Sequence, residues 1–282
     1  MTLAEVGGAA FHLVRVLAAL YVAAGILLLL VRNRITFPAP REVTPEPARY
    51  GMPDGTKVVI PTPDGARLVC WYLPPREVSG GPAPAVVWFH GNGETVGALA
   101  PLLREFRPAR AALLVATYRG YGESSGRPTP ALLERDTEAL WRWLTARAEV
   151  DPARIVVYGR SVGTGPATFL AATHPVAGLI LESGFTSLRA LARVHYPIFP
   201  SVLAGRRFDN LRRIAEVRAP VLFIHGDADR LIPIGMGRAL AARAGQVRDF
   251  WVIPGADHNE TYLRGGDEYV RRFAAFVEGV TR

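Results

Sequence analysis

The 282-residue chain contains a single cysteine, Cys70. That rules out an intrachain disulfide and any cysteine-built metal cluster. Lysine is as scarce: Lys57 is the only one, so the formal net charge of +8 is carried by arginine. The arginines are spread along the chain instead of forming tracts with interleaved aromatics. This argues against nucleic acid as a partner and leaves a general attraction to anionic lipid. There are six histidines, so the search for a general base is short. No internal repeat appears. What the chain has in quantity is apolar residues, 49% of the total, enough for one sizeable core with a short appendage.

Those residues first concentrate near the N-terminus. Val16 to Val31, VLAALYVAAGILLLLV, carries no charge. Extended back to Phe11 across Arg15, the stretch approaches the ~20 residues that cross a bilayer. It is apolar on every face, unlike a core helix. A cleaved signal peptide is the rival reading, opposed by the length of the run and by RNRITFPAP after it, which lacks an A-x-A-like site. Residues 11–31 therefore read as a single-pass membrane anchor. Arg32, Arg34, Arg41 and Arg49 follow it, while Arg15 and the α-amino group precede it; the balance favours a cytoplasmic position for the residues on its C-terminal side. Residues 32–56 are rich in proline and turn formers and read as an extended stalk. Residues 57–282 read as one folded domain.

Within that domain the pattern changes. KVVIPTPDGARLVCWYLPP reads as two β-runs joined at Pro63-Asp64-Gly65, a hairpin signal. Short apolar runs then alternate with helix-length segments. The runs are AVVWFH, AALLVATY, RIVVYG, VAGLILE, PVLFIHG and RDFWVIPG, each too uniformly apolar to have a wet face. The helices are expected over 94–107, 129–147, 162–173, 234–244 and 266–278. This predicts an α/β fold: a mostly parallel central sheet with helices on both faces, opened by an antiparallel hairpin. Ligands of such sheets gather at the carboxyl ends of the strands.

One strand end is distinctive. RIVVYGRSVGTG stops an apolar run at Gly159, sets Ser161 between two glycines and restarts as a helix. A turn this tight needs residues without Cβ at its flanks. It would hold the serine at a strained apex, at a helix N-terminus where developing negative charge is favoured. An ordinary N-cap serine is the alternative. A nucleophilic serine needs a base. His12 falls in the anchor. His90 and His225 end strands before glycine, positions suited to holding loop backbone. His174 follows the helix after Ser161, and His195 lies in a less regular stretch. His258, in VIPGADHNE, sits just past the last strand in a polar loop, where a base would stand. An orienting acid belongs between Ser161 and His258 at a strand end. GDADRLIP offers Asp227 and Asp229, and Glu182, ending LILE, is a third candidate.

These motifs, with FHGNG at 89–93, TYRGYGESSG, LESGFTSL and NRITFPAP after the apolar segment, resemble the α/β-hydrolase superfamily. Within it they resemble the membrane-anchored serine hydrolases, the group of lysophospholipid lipases and protein depalmitoylases. The similarity covers essentially the whole chain. The resemblance implies Ser161 as nucleophile, His258 as base and Asp229 as acid, with Asp227 as runner-up. It implies an oxyanion hole from the backbone N–H of Val162 and of Asn92, with Gly93 beside it as the other choice for the second donor. The implied activity is hydrolysis of an acyl ester or thioester, lipid-like in view of the anchor, with no cofactor and no metal. A peptidase or amidase, and a non-catalytic ligand-binding protein of the same fold, are the alternatives.

Residues 185–210 read either as a small cap over the site or as a plain crossover between parallel strands. Arg160 and the Glu123-Ser124-Ser125 loop are candidates for lining the site.

Overall fold

Strands rich in β-branched and aromatic residues, set between amphipathic segments, assemble into one sheet. The computed structural model describes residues 3–77, 80–205 and 207–282. A first helix, α1 (Leu3–Thr36), precedes β1 (Thr56–Pro61), β2 (Arg67–Leu73), β3 (Ala83–Phe89), α2 (Val96–Phe106), β4 (Ala112–Ala116) and α3 (Pro130–Thr145). Then come β5 (Val150–Arg160), α4 (Thr164–Thr173), β6 (Gly178–Glu182), α5 (Leu188–His195), α6 (Asn210–Arg213), β7 (Val221–Gly226), α7 (Ile234–Arg243), β8 (Val247–Ile253) and α8 (Thr261–Val280). The strand order is β1-β2-β4-β3-β5-β6-β7-β8. β2 pairs antiparallel with both β1 and β4, and the remaining pairs are parallel. The order reverses direction at β3, so the carboxyl ends of β3 and β5 flank a crevice.

Alternation along each strand divides the core. Val86 and Trp88 pack with Leu103 and Phe106 of α2 and Phe273 of α8; Val87 and Phe89 pack with Leu140 of α3 and Leu170 of α4. A two-residue period thus buries both faces of the sheet. Helix starts follow local chemistry: Thr95 Oγ1 accepts from Ala98 N, and Thr129 Oγ1 from Leu132 N, with Pro130 in the first turn of α3.

Three expectations need correction. The apolar run RDFWVIPG predicts a strand covered on both faces, but Val247, Arg248 and Asp249 are exposed, because β8 is the edge strand. Residues 37–55 do not form a free stalk. Phe37 and Met52 are each 2% exposed, and backbone oxygens of the segment accept from Trp71 Nε1 (Pro45 O, 2.8 Å) and Gly122 N (Pro40 O, 2.9 Å). Residues 11–31 are only the middle of α1, which runs on to Thr36. Within the candidate cap at residues 185–210, α5 and a 3₁₀ turn at Ser201–Ala204 contribute to the wall of the cavity that Ser161 also lines.

Candidate active site

The turn after β5 leaves no room for side chains at its flanks. A Cβ on Gly159 would lie 2.5 Å from Gly163 O, and one on Gly163 would run into Phe89 O and His90 O at the end of β3. Between them Ser161 takes φ 52°, a left-handed conformation that L-residues with a side chain adopt only under strain. A 3₁₀ turn, Ser161–Gly163, leads into α4. Val162 N–H therefore lies in the first turn of the helical segment, where amide groups have no intrahelical acceptor.

Ser161 Oγ is 2.9 Å from His258 Nε2, and His258 Nδ1 is 2.8 Å from Asp229 Oδ2. All three residues are buried. Asp229 uses its other oxygen to accept from Leu231 N (3.0 Å) and Ile232 N (2.7 Å). Burial pushes the Asp229 carboxyl up, but the hydrogen bonds from His258 and Ile232 outweigh it and hold the group below its ordinary value. An ionised Asp229 accepts from Nδ1–H, which leaves Nε2 free to accept the serine proton. Asp227 is exposed and turned elsewhere, accepting from Gly255 N at 2.6 Å. Glu182 is buried beneath the site and accepts from Tyr158, Tyr269, Thr261 and Arg160; it does not meet His258.

Ser161, Val162 and Asn92 line one cavity of about 500 Å³. Asn92 Oδ1 accepts from Tyr121 at 2.9 Å, which orients its loop. The cavity's other walls are mostly apolar. Leu188, Leu191 and Phe199 come from the cap, and Leu28 and Ile35 come from α1.

His90 and His225 do not reach the cavity. His90 Nδ1 donates to Gly91 O, and His225 Nε2 donates to Ile232 O, each at 2.8 Å, and burial pushes both imidazoles below their ordinary value. Ser124 Oγ and Ser125 Oγ accept from Val69 N and Arg67 N, and Glu123 pairs with Lys57, so this loop staples β2 instead of lining the cavity. Arg160 also points away from it. The guanidinium pairs with Glu94 and Glu182 and donates to His258 O (2.9 Å) and Asn259 Oδ1 (2.8 Å). Glu94 in turn accepts from Gly91 N at 2.6 Å. One partly buried network therefore joins the loops that carry Asn92, Ser161 and His258.

Sequence reasoning missed Glu94 and Asn259. Glu94 carried a faint signal as an acidic side chain in an otherwise small-residue loop. The α1 wall carried none, since nothing in an apolar stretch says which domain surface it will meet.

The fold and the turn define the class: the chain belongs to the alpha/beta hydrolase fold family, whose model matches residues 84–213. Among its relatives, an uncharacterized protein of Mycobacterium tuberculosis is 38% identical over 259 residues, 89% of this chain and 91% of that one. Alpha/beta hydrolase domain-containing protein 17B of Homo sapiens is 33% identical over 218 residues, 77% of this chain and 73% of that one. An esterase of Pyrococcus furiosus has the same fold, with a TM-score of 0.67 at 20% identity over 86% of this chain and 97% of that one.

Proposed function

We propose that the chain is a serine hydrolase that cleaves an acyl ester or thioester of lipid-like character, held at a membrane by α1. The reading rests on one arrangement: a strained serine lining a mostly apolar cavity, 2.9 Å from an imidazole whose far nitrogen is 2.8 Å from a buried carboxylate. In this mechanism Ser161 Oγ attacks the acyl carbonyl as its proton passes to His258 Nε2. Asp229 fixes the imidazole tautomer and stabilises the imidazolium. The carbonyl oxygen gains negative charge and is held by Val162 N–H and Asn92 N–H, each such donor contributing about 3 kcal/mol in comparable sites. The C–O or C–S bond then breaks, His258 gives the proton to the leaving group, and a water activated by the same imidazole hydrolyses the acyl-enzyme.

The apolar walls favour an acyl group over a polar one. Esterase activity of the Pyrococcus furiosus protein, which shares the fold, supports the ester reading as an analogy. Ser161→Ala is expected to lower turnover of p-nitrophenyl esters by about 10⁴-fold or more and to abolish labelling by a fluorophosphonate, with an unchanged melting temperature. Wild-type turnover or labelling in that variant would overturn the assignment.

A further inference from the structure

One stripe of α1 faces the cavity that Ser161 lines. Tyr21, Gly25, Leu28, Arg32 and Ile35 recur at alternating intervals of four and three residues, which keeps them on one side of a helix. Leu28, Arg32 and Ile35 line the cavity itself. Above them Tyr21 stacks on Phe199 of the cap, ring centroids 5.3 Å apart, and donates to Ile198 O at 2.8 Å. Arg32 Nη1 donates to Leu203 O at 2.9 Å, and a Cβ on Gly25 would stand 4.0 Å from Leu203 Cδ1. The segment suited to a bilayer is thus one wall of the cavity, and the cap is the wall opposite.

The position of the contact along α1 matters as much. The uncharged run is Val16–Val31, and Tyr21 lies inside it. Any bilayer that holds this run extends past Tyr21, and so past the cap residues Ile198 and Phe199 beside it. Ile198 is 72% exposed and Val202 57%, and both continue the apolar surface of α1, where Leu30 is 77% exposed. Lipid would remove this surface from water. Arg193, exposed on the same cap with Nε 3.2 Å from Ser201 Oγ, has a stem long enough to carry its charge to the headgroups.

Resting on the serine-hydrolase reading, we infer that α1 and the cap form an acyl channel open to the bilayer. The substrate is a membrane-resident ester or thioester with a long acyl chain. The chain enters between α1 and the cap, and its carbonyl comes to rest at Ser161. The anchor is then a specificity element as well as a tether, because Leu28 and Ile35 stand against the acyl chain.

The test uses the full-length chain in phosphatidylcholine liposomes, with p-nitrophenyl laurate and p-nitrophenyl acetate as probes. Leu28→Trp should lower the laurate-to-acetate ratio of kcat/KM at least tenfold. Leu30→Trp, on the outer face of the same helix, should leave that ratio within twofold. An unchanged ratio in Leu28→Trp overturns the channel. Wild-type protein that turns over neither ester and takes no fluorophosphonate overturns the serine reading, and the channel's chemistry falls with it. The bilayer opening is read without activity by labelling Ile198→Cys with a nitrobenzoxadiazole fluorophore. Burial pushes the native Cys70 thiol up to about 12, so only the new thiol reacts. Doxyl-labelled lipids should quench this fluorophore strongly, and no quenching overturns the membrane-facing channel.

Discussion

His258 commits its two ring nitrogens to different partners, and each partner is held by something else. Asp229 is fixed by the Leu231 and Ile232 amides, and Ile232 O is in turn held by His225. Of the two aspartates, Asp229 faces the imidazole, so Asp229→Asn should cost about 10⁴-fold in kcat, while Asp227→Asn, which keeps an acceptor for the Gly255 amide, should stay within a few-fold. Steady-state kinetics on a short ester separates the two. His225 carries a pH consequence. Its folded-state pKa lies below its ordinary value because burial disfavours the cation. Between that lowered value and about 6.5 the unfolded chain therefore binds more protons than the folded one. The resulting stability is complete above about pH 6.5 and is lost as pH falls through the folded pKa. His90 behaves the same way. Melting temperature should drop from pH 7 to pH 5, and His225→Gln should flatten that slope. At this scale the sequence is informative because the roles are tied to local signals: glycines flank Ser161, and His258 follows the last strand. The choice between Asp227 and Asp229 is not legible there, because it depends on which way a loop turns.

At the scale of elements, three strand-end loops act as one unit through Arg160. Its side chain is only 12% exposed and Glu182's 3%, yet the cluster also reaches Glu94, His258 O and Asn259. Burial disfavours the guanidinium charge, but Glu94 and Glu182 more than offset that and raise its pKa. Arg160→Met keeps the stem but removes the cation that Glu94 and Glu182 share, leaving them only their neutral donors. Such a loss costs about 3 to 5 kcal/mol when the pair is buried. Urea denaturation should register it as a lower midpoint with an unchanged m-value. Activity should fall as well, since the His258 loop loses its anchor. An Arg160→Lys variant would recover stability more than activity, because an ammonium cannot span the same fork of acceptors. The strands and helices themselves follow from apolar periodicity. Which polar side chain links their ends does not, since Glu94 and Arg160 lie 66 residues apart.

The whole molecule divides differently from the way its composition suggests. Proline and turn formers in residues 37–55 have the makeup of a tether, but the segment meets the domain at specific points. Phe37 packs edge-on to Phe208 with centroids 6.3 Å apart, Met52 joins the cluster under α2, and Pro45 O takes the indole N–H of Trp71. Lys57 reaches back to Thr44 O at 3.1 Å, which fixes where the segment rejoins β1. A docked strap and a free stalk have the same amino-acid content and differ only in tertiary contacts, so sequence pattern cannot tell them apart. Stability can. A chain starting at residue 37 keeps every one of these contacts, whereas a chain starting at residue 57 exposes the apolar surface that Phe37 and Met52 covered. The Trp71 donor, uncovered by the same truncation, turns to water, while two buried apolar side chains at about 1.5 to 3 kcal/mol each sum to about 5 kcal/mol. For a domain of this size that corresponds to a drop of roughly 10 to 20 °C in melting temperature. Both truncations lack the α1 wall, so a difference between them reports the strap alone, and equal melting temperatures would return residues 37–55 to the status of a linker.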